Sequence, residues 1–509
     1  MSVLTKHVVI VGGGTAGWLT ASLLAKQHGQ SVKITLIESS TIPTVGVGEG
    51  TWPSMRMTLQ KIGISESEFI TKCNATFKQA SKFVNWIANS NDEYYHPFTA
   101  PVGNGKIDIA AYWQDPNFSQ SSFCDAVTFQ SMLCREGIAP KSIANKEYET
   151  VANYGYHLDA GKFAELLKNH SVENLGVEHL IGNVTAVKQD QHGNIRAIDT
   201  DTVGAIEAEF FVDCSGFKSL LLGEALKVPF IAKNDILMSD TALAMQVPYE
   251  NPQQPIACQT ISTAQEAGWI WDIGLQQRRG VGYVYSSQYA SEEQAKATLK
   301  KYVGPQADAL TIRKIEFKTG HREIFWKNNC VAVGLASGFL EPLEASALML
   351  VETSANFIAD QLPLTSDEML PMSRRFNQVF QAKWRGIIDF LKLHYVLSRR
   401  EEPFWQANKA PSSIPESLSE LLALWKHRSP NEYDFLQNYE AFSAESYAYV
   451  LYGAGFKTDF SLAAHLHKQS ERAQKYFKMK QQQSEQLAYR LPRHRELIDQ
   501  ITQQGFAKI

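Results

Sequence analysis

Val11-Gly12-Gly13-Gly14-Thr15-Ala16-Gly17-Trp18 is the stretch whose reading decides the fold. An apolar run, His7-Val8-Val9-Ile10, leads into it, and a helical pattern, Leu19 to Lys26, leads out. A glycine turn between strand and helix is the setting in which G-x-G-x-x-G binds a dinucleotide. Gly12 permits a tight turn, Gly14 lets the backbone approach a pyrophosphate, and Gly17 lets the helix pack close to the strand. The N–H groups of the helix's first turn then face the phosphates, where the helix dipole favours negative charge. A second strand, Val32 to Ile37, ends at Glu38. That acid stands about 20 residues past the loop, where a carboxylate accepts from ribose hydroxyls.

Working outward, 509 residues exceed one small core, so two domains or one large domain with insertions is expected. With 44% hydrophobic and 20% charged residues the composition is globular. A net charge of -4 gives no support to nucleic-acid or anionic-membrane partners. No apolar run reaches the roughly 18 residues of a membrane helix. The first strand begins too early to leave room for a signal peptide, so a cytoplasmic protein is expected. Six cysteines (Cys73, Cys124, Cys134, Cys214, Cys258, Cys330) form no C-x-x-C pair, which predicts reduced thiols and no metal site. Lys478 to Gln486 reads as a solvated helix face.

The loop from Thr44 to Pro53 places three glycines and a proline around Glu49. It reads as a mobile or tightly turned functional segment or as a plain connection, and composition leaves both open. Residues 54–90 read helical and then extended; Lys78, taken alone, reads as a surface lysine. Residues 91–125 are aromatic and irregular, suiting a core or a pocket wall. Asp159 reads as an N-cap. Strands follow near Val184 to Val187 and Phe210 to Val212, the second running into Asp213-Cys214-Ser215-Gly216. Residues 240–290 alternate as an antiparallel sheet does. Cys330 to Phe339 is a buried strand entering a small-residue turn, and Glu341 to Ala347 opens a helix. Beyond about 365 helices dominate, with Phe376, Phe380, Trp384, Ile387 and Leu391 on one apolar face. The expected architecture is α/β: an FAD-binding, Rossmann-like domain with a mixed sheet over 1–365, carrying substrate-site loops near 78–125, and a mainly helical, substrate-covering domain over 366–509. The two late turns, 211–217 and 331–347, look like further contacts for a long cofactor and favour FAD over NAD.

Three stretches together resemble the flavin-dependent tryptophan halogenases: GGGTAGW at Gly12–Trp18, GVGEGTWP at Gly46–Pro53, and Trp269-Ile270-Trp271-Asp272-Ile273. FVDCSGF, GVGYVYSS, FLEPLE and Phe404-Trp405 extend the resemblance over essentially the whole chain. It implies that FADH2, supplied by a separate reductase, reacts with O2 to a flavin hydroperoxide, which oxidises chloride or bromide to hypohalous acid. That acid passes through a tunnel to Lys78, where an electron-rich arene is halogenated. A lysine nitrogen can hydrogen-bond the acid or form a haloamine. Glu344 matches the carboxylate that stabilises the cationic ring and accepts its proton. Ser346 and Ala347 match the halide-binding N–H groups at a helix start. FAD contacts are implied at Gly12, Gly14, Thr15, Ala16, Gly17, Glu38, Val47, Gly48, Glu49, Gly334 and Leu343. Trp269 and Trp271 would wall the tunnel, and His96, Phe98, Phe442 and Tyr447 would hold the aromatic substrate.

The chain departs from the family pattern at four places. Tyr447-Ala448-Tyr449 stands where tryptophan-binding members carry adjacent tyrosines, and the third clamp aromatic has Phe442 as its nearest counterpart. Glu344-Ala345-Ser346-Ala347 replaces E-S-T-G, and W-x-W-x-I-P ends in Gly274. These departures widen the expected substrate to tryptophan, indole or another electron-rich arene, free or carrier-bound. A flavin monooxygenase that hydroxylates an arene would share the loops but have no use for Lys78. A non-catalytic flavin protein is the third reading. Oligomeric state is open between monomer and homodimer.

Overall fold

A computed structural model of the chain describes residues 3–41, 48–88, 90–435 and 440–507. By packing, the chain forms two units: residues 1–75, 158–233 and 318–384, and residues 76–157, 234–317 and 385–509.

The first unit is built on a six-stranded sheet, ordered Trp326–Lys327, Cys330–Ala332, Phe210–Asp213, His7–Val11, Lys33–Glu38, Glu178–Ile181. From Cys330–Ala332 onward all neighbours are parallel. A parallel sheet must be covered on both faces, which is why its central strands carry the continuous apolar runs Val8–Val11 and Phe210–Val212. Val8, Val9 and Ile10 are fully buried. The helix Thr15–His28 packs against the helices Ala160–Leu175 and Ser346–Asp360. Asp159 caps Ala160–Leu175, accepting from Gly161 N at 3.1 Å and Lys162 N at 3.2 Å. Strand, glycine turn, helix and strand thus follow in the expected order. Gly12 adopts φ +119°, and a Cβ there would lie 2.2 Å from Cys214 O. A Cβ on Gly17 would lie 1.9 Å from Gly12 O, so helix and turn approach as closely as backbone allows.

The second unit is built on a seven-stranded sheet, ordered Arg313–Glu316, Thr241–Pro248, Arg278–Tyr285, Gly268–Gly274, Gln259–Gln265, Ala80–Val84, Glu93–Pro97. Its neighbours are antiparallel except Gln259–Gln265 with Ala80–Val84. The alternation over 240–290 therefore corresponds to three antiparallel pairings. In one of them Gly282 faces Trp271, whose ring fills the space a side chain would need: a Cβ there would lie 2.2 Å from the indole.

This division differs from a single cut near 365. The 240–290 strands join Ala80–Val84 through Gln259–Gln265, and Trp405 Nε1 donates to Gln265 O at 2.8 Å. The inserted sheet therefore packs with the C-terminal helices, while the glycine turn keeps its own sheet. The boundary at Trp384 falls inside the helix Met369–Val396. All six cysteines are free thiols. Among the described residues, no helix is long and apolar enough to cross a membrane, and no group of three or more His, Cys, Asp or Glu is placed to hold a metal ion.

Candidate active site

In the first unit the glycine turn leaves a cradle. Gly14 caps the helix Thr15–His28 without any side-chain hydrogen bond, and a Cβ at Gly14 would meet nothing within 4 Å. The N–H groups of that first turn have no partner within the helix, so the residues fit a phosphate. Both late turns reach this spot. Cys214 O lies against Gly12, and Gly334, at φ +69°, comes so close that its Cβ would sit 2.8 Å from that of Ala16. Asp213 fixes the first of these turns, accepting from Ser215 Oγ at 2.5 Å, Leu221 N at 2.9 Å and Leu222 N at 2.8 Å. Glu38 Oε1 accepts from His179 Nε2 at 2.8 Å and Lys168 Nζ at 3.2 Å. Its Oε2 lies against the turn, 1.7 Å from where a Cβ on Gly13 would stand. The donor set and the open Gly14 face together fit the diphosphate end of a dinucleotide. Val47 lies outside the described residues. Gly48 and Glu49 fall in the strand Gly48–Gly50, and burial pushes the Glu49 carboxyl up to about 7. Leu343 is buried.

Glu344 is buried, just before the helix Ser346–Asp360. Ala345, at φ +55° and ψ +38°, turns the chain abruptly into that helix. Ser346 and Ala347 are its first two residues, so their N–H groups lie at its positive end. Trp52 Nε1 donates to Glu344 O at 2.9 Å, tying the GEGTWP stretch to the acid. Glu352 adds a second tie that the sequence reading missed. It accepts from Ser54 Oγ at 3.0 Å and Thr58 Oγ1 at 2.7 Å. Burial pushes its carboxyl up to about 7, against the pull of those two hydroxyls. The signal was a lone acid in an apolar helical run, Leu348 to Val351, which must find donors if it is buried.

In the second unit Lys78 is 1% exposed, so the reading of a surface lysine is corrected. The short strand Thr76–Lys78 pairs with Gly155–Asp159, placing Gly155 opposite Lys78 and His157 opposite Thr76. Lys78 Nζ lies 5.5 Å from the centroid of the Phe98 ring, within cation–π range. Burial, and then the Lys78 charge, hold His157 well below the usual histidine range. Gly274, where the family pattern has proline, accepts from Thr76 Oγ1 at 2.6 Å.

His96 joins an aromatic group, with ring centroids 5.4 Å from Phe390 and 6.1 Å from Phe442. Phe390 stacks on Phe442 at 3.7 Å. The structure thus brings His96 and Phe442 together, and it sets Phe98 beside Lys78. Phe390 was missed because an aromatic beside Leu391 reads as core. Tyr447 is buried behind Phe390, at 4.9 Å, with Trp425 at 5.2 Å. Its hydroxyl donates to Gly386 O at 3.4 Å. Trp269 and Trp271 are buried on the strand Gly268–Gly274, edge to face at 6.5 Å.

Comparison with known proteins gives the chemistry its context. The sequence model of the tryptophan halogenase family matches residues 7–468. A tryptophan 6-halogenase from Streptomyces toxytricini is 36% identical, over 88% of this chain and 89% of its own. A 7-chloro-L-tryptophan 6-halogenase from Kutzneria is 34% identical, over 96% and 98%. The crystal structure of a tryptophan halogenase from Shewanella frigidimarina superposes with a TM-score of 0.95 at 46% identity, covering 99% of each chain. These relatives do not favour the hydroxylase reading. This chain belongs to the tryptophan halogenase family and is a flavin-dependent halogenase.

Proposed function

We propose that the enzyme takes reduced FAD from a separate flavin reductase, with oxygen and chloride or bromide, and halogenates an electron-rich arene. When bound, the reduced flavin would give two electrons to O2, and the oxygen so activated would oxidise halide to hypohalous acid. The glycine turn, Glu38, Gly48, Glu49, Gly334 and Leu343 are the residues that would hold it. The N–H groups of Ser346 and Ala347 bind the halide at the positive end of their helix. The Lys78 ammonium, kept from water, hydrogen-bonds hypohalous acid and presents its halogen. The arene gives up a ring C–H bond and gains a C–halogen bond, and water is the second product. Glu344 stabilises the cationic ring and accepts the ring proton. His96, Phe98, Phe390 and Phe442 offer the flat apolar faces that an arene needs, with Tyr447 packed behind them. Trp269 and Trp271 keep the arene away from the flavin.

We further propose indole, tryptophan or an arene of similar electron richness as substrate. The altered residues around Tyr447 and after Glu344 support a range broader than free tryptophan. The observation that carries the proposal is Lys78, buried against an aromatic ring where a solvating lysine has no reason to be. The test supplies FADH2 and bromide with a panel of indoles, phenols and pyrroles and reads the bromine isotope doublet by mass spectrometry. Lys78→Ala is expected to lower product at least ~100-fold, the scale of a lost general acid–base group, with FAD binding unchanged. Product at the normal rate from that variant would overturn the assignment.

A further inference from the structure

The strand that carries Lys78 is only three residues long, and contacts within the second unit fix it. Thr76 Oγ1 donates to Gly274 O at 2.6 Å. Just past the lysine, Gln79 N donates to Cys258 O at 2.7 Å, and Gln79 O accepts from Phe98 N at 3.1 Å. At Phe77 itself the acceptor is a side chain, not backbone. Phe77 N–H donates to His494 Nε2 at 3.0 Å, across 417 residues of sequence.

That bond settles the state of the imidazole. A backbone N–H can only donate, so Nε2 holds the lone pair and the ring proton sits on Nδ1. Nδ1 lies 3.1 Å from Ile256 O and donates to it. One neutral ring therefore bridges the lysine's strand to the Ile256–Cys258 segment, which also receives Gln79 N–H. Burial pushes the His494 pKa down to about 4, so the ring stays in this acceptor form at working pH. The start of its helix, His494–Gln504, is anchored to the same region: Arg495 Nε donates to Gln254 O at 3.0 Å and Arg495 Nη1 to Gln276 O at 2.6 Å. Phe77 is fully buried, so without His494 its N–H would face an interior with no water to take it.

We infer that His494 is a positioning residue for Lys78, acting through the Phe77 N–H to hold the amine where it meets hypohalous acid and arene. The inference rests on the reading of Lys78 given above. A ring that only fills space would be replaceable by any side chain of similar bulk. A ring that positions must accept at Nε2 and donate at Nδ1, so its two halves can be separated. His494→Gln keeps an acceptor for Phe77 N–H. His494→Asn keeps a donor for Ile256 O but reaches no further. His494→Leu keeps neither.

The experiment compares these three variants with wild type and Lys78→Ala in the full-length holoenzyme, given FADH2, bromide and indole. It measures brominated indole formed per flavin oxidised and hypobromous acid captured by a soluble 1,3-dione. Hydrogen exchange at the Phe77 amide, followed by mass spectrometry, supplies a readout independent of turnover. His494→Leu and His494→Asn are expected to lower product per flavin at least ten-fold and to raise captured hypobromous acid. Flavin oxidation and the KM for indole should stay within two-fold, and Phe77 exchange should accelerate. His494→Gln is expected to restore at least half the wild-type ratio. Should the leucine variant fail to fold, the contrast between Asn and Gln still decides. Equal, wild-type-like ratios in Asn and Gln overturn the inference. Loss of product in Lys78→Ala with none in His494→Asn overturns it while leaving the lysine in place. Product retained in Lys78→Ala overturns the earlier reading first, and this one with it.

Discussion

Single residues show most clearly how burial changes meaning. Lys78 and Glu352 are ordinary surface types in sequence, yet both are buried. Glu352 yields a signed prediction. Its carboxyl is raised from an ordinary 4.5 to about 7. Between those two values the folded protein keeps a proton that the unfolded chain has released. Stability therefore falls as pH rises through that window, by on the order of 3 kcal/mol once complete. Glu352→Gln removes the titration but keeps a partner for the Ser54 and Thr58 hydroxyls. Its Tm relative to wild type should rise by several degrees between pH 5 and pH 8, and thermal melts at the two pH values measure it. In the proposed mechanism Glu344 takes the ring proton, and Glu344→Gln keeps the shape but cannot accept it. Its kcat for halogenation should fall about 100-fold or more, the usual scale of a general base, in steady-state assays with FADH2 in excess. The partners of Glu352 are distant in sequence, which is why its burial was not legible there, and the role proposed for Glu344 comes from family resemblance.

Elements were more legible than the contacts between them. The glycine turn, its helix and the strand ending at Glu38 follow from periodicity and from the backbone freedom of Gly12. The start of the helix Ser346–Asp360 was visible in the small residues after Glu344. Register was not visible, because Gly268–Gly274 is buried along its whole length and its pattern does not tell one face from the other. Gly282 illustrates this: it is a glycine because Trp271 lies over it. Gly282→Ala should push that indole aside and cost about 1–3 kcal/mol, the range for overpacking a filled core. A lowered Tm with an altered tryptophan near-UV signal would record it. Gly17→Ala is a harsher test of the same kind, because the new methyl meets backbone, Gly12 O, rather than a side chain that can turn. FAD binding, followed by flavin fluorescence, should be lost in that variant.

For the whole molecule, each packed unit draws on three separate stretches of chain, so a contiguous half is not a folding unit. A fragment ending at residue 365 would strip Trp86 of its contacts with Tyr395 and Trp405 and leave apolar sheet exposed. Such a fragment is expected to aggregate rather than yield a soluble flavin-binding domain, which expression and light scattering would show. In the intact chain, FAD at about 100 times its Kd should add ~2.7 kcal/mol to stability by mass action, seen as a raised Tm. By itself the sequence determined the dinucleotide turn, the α/β class and the family, because those depend on local backbone chemistry and on short motifs read in order. Only the tertiary structure decided that the 240–290 sheet packs with the C-terminal helices, that Lys78 is buried against Phe98, and that His494 reaches its strand. Those facts depend on which distant surfaces exclude water from each other, and no local spacing encodes that.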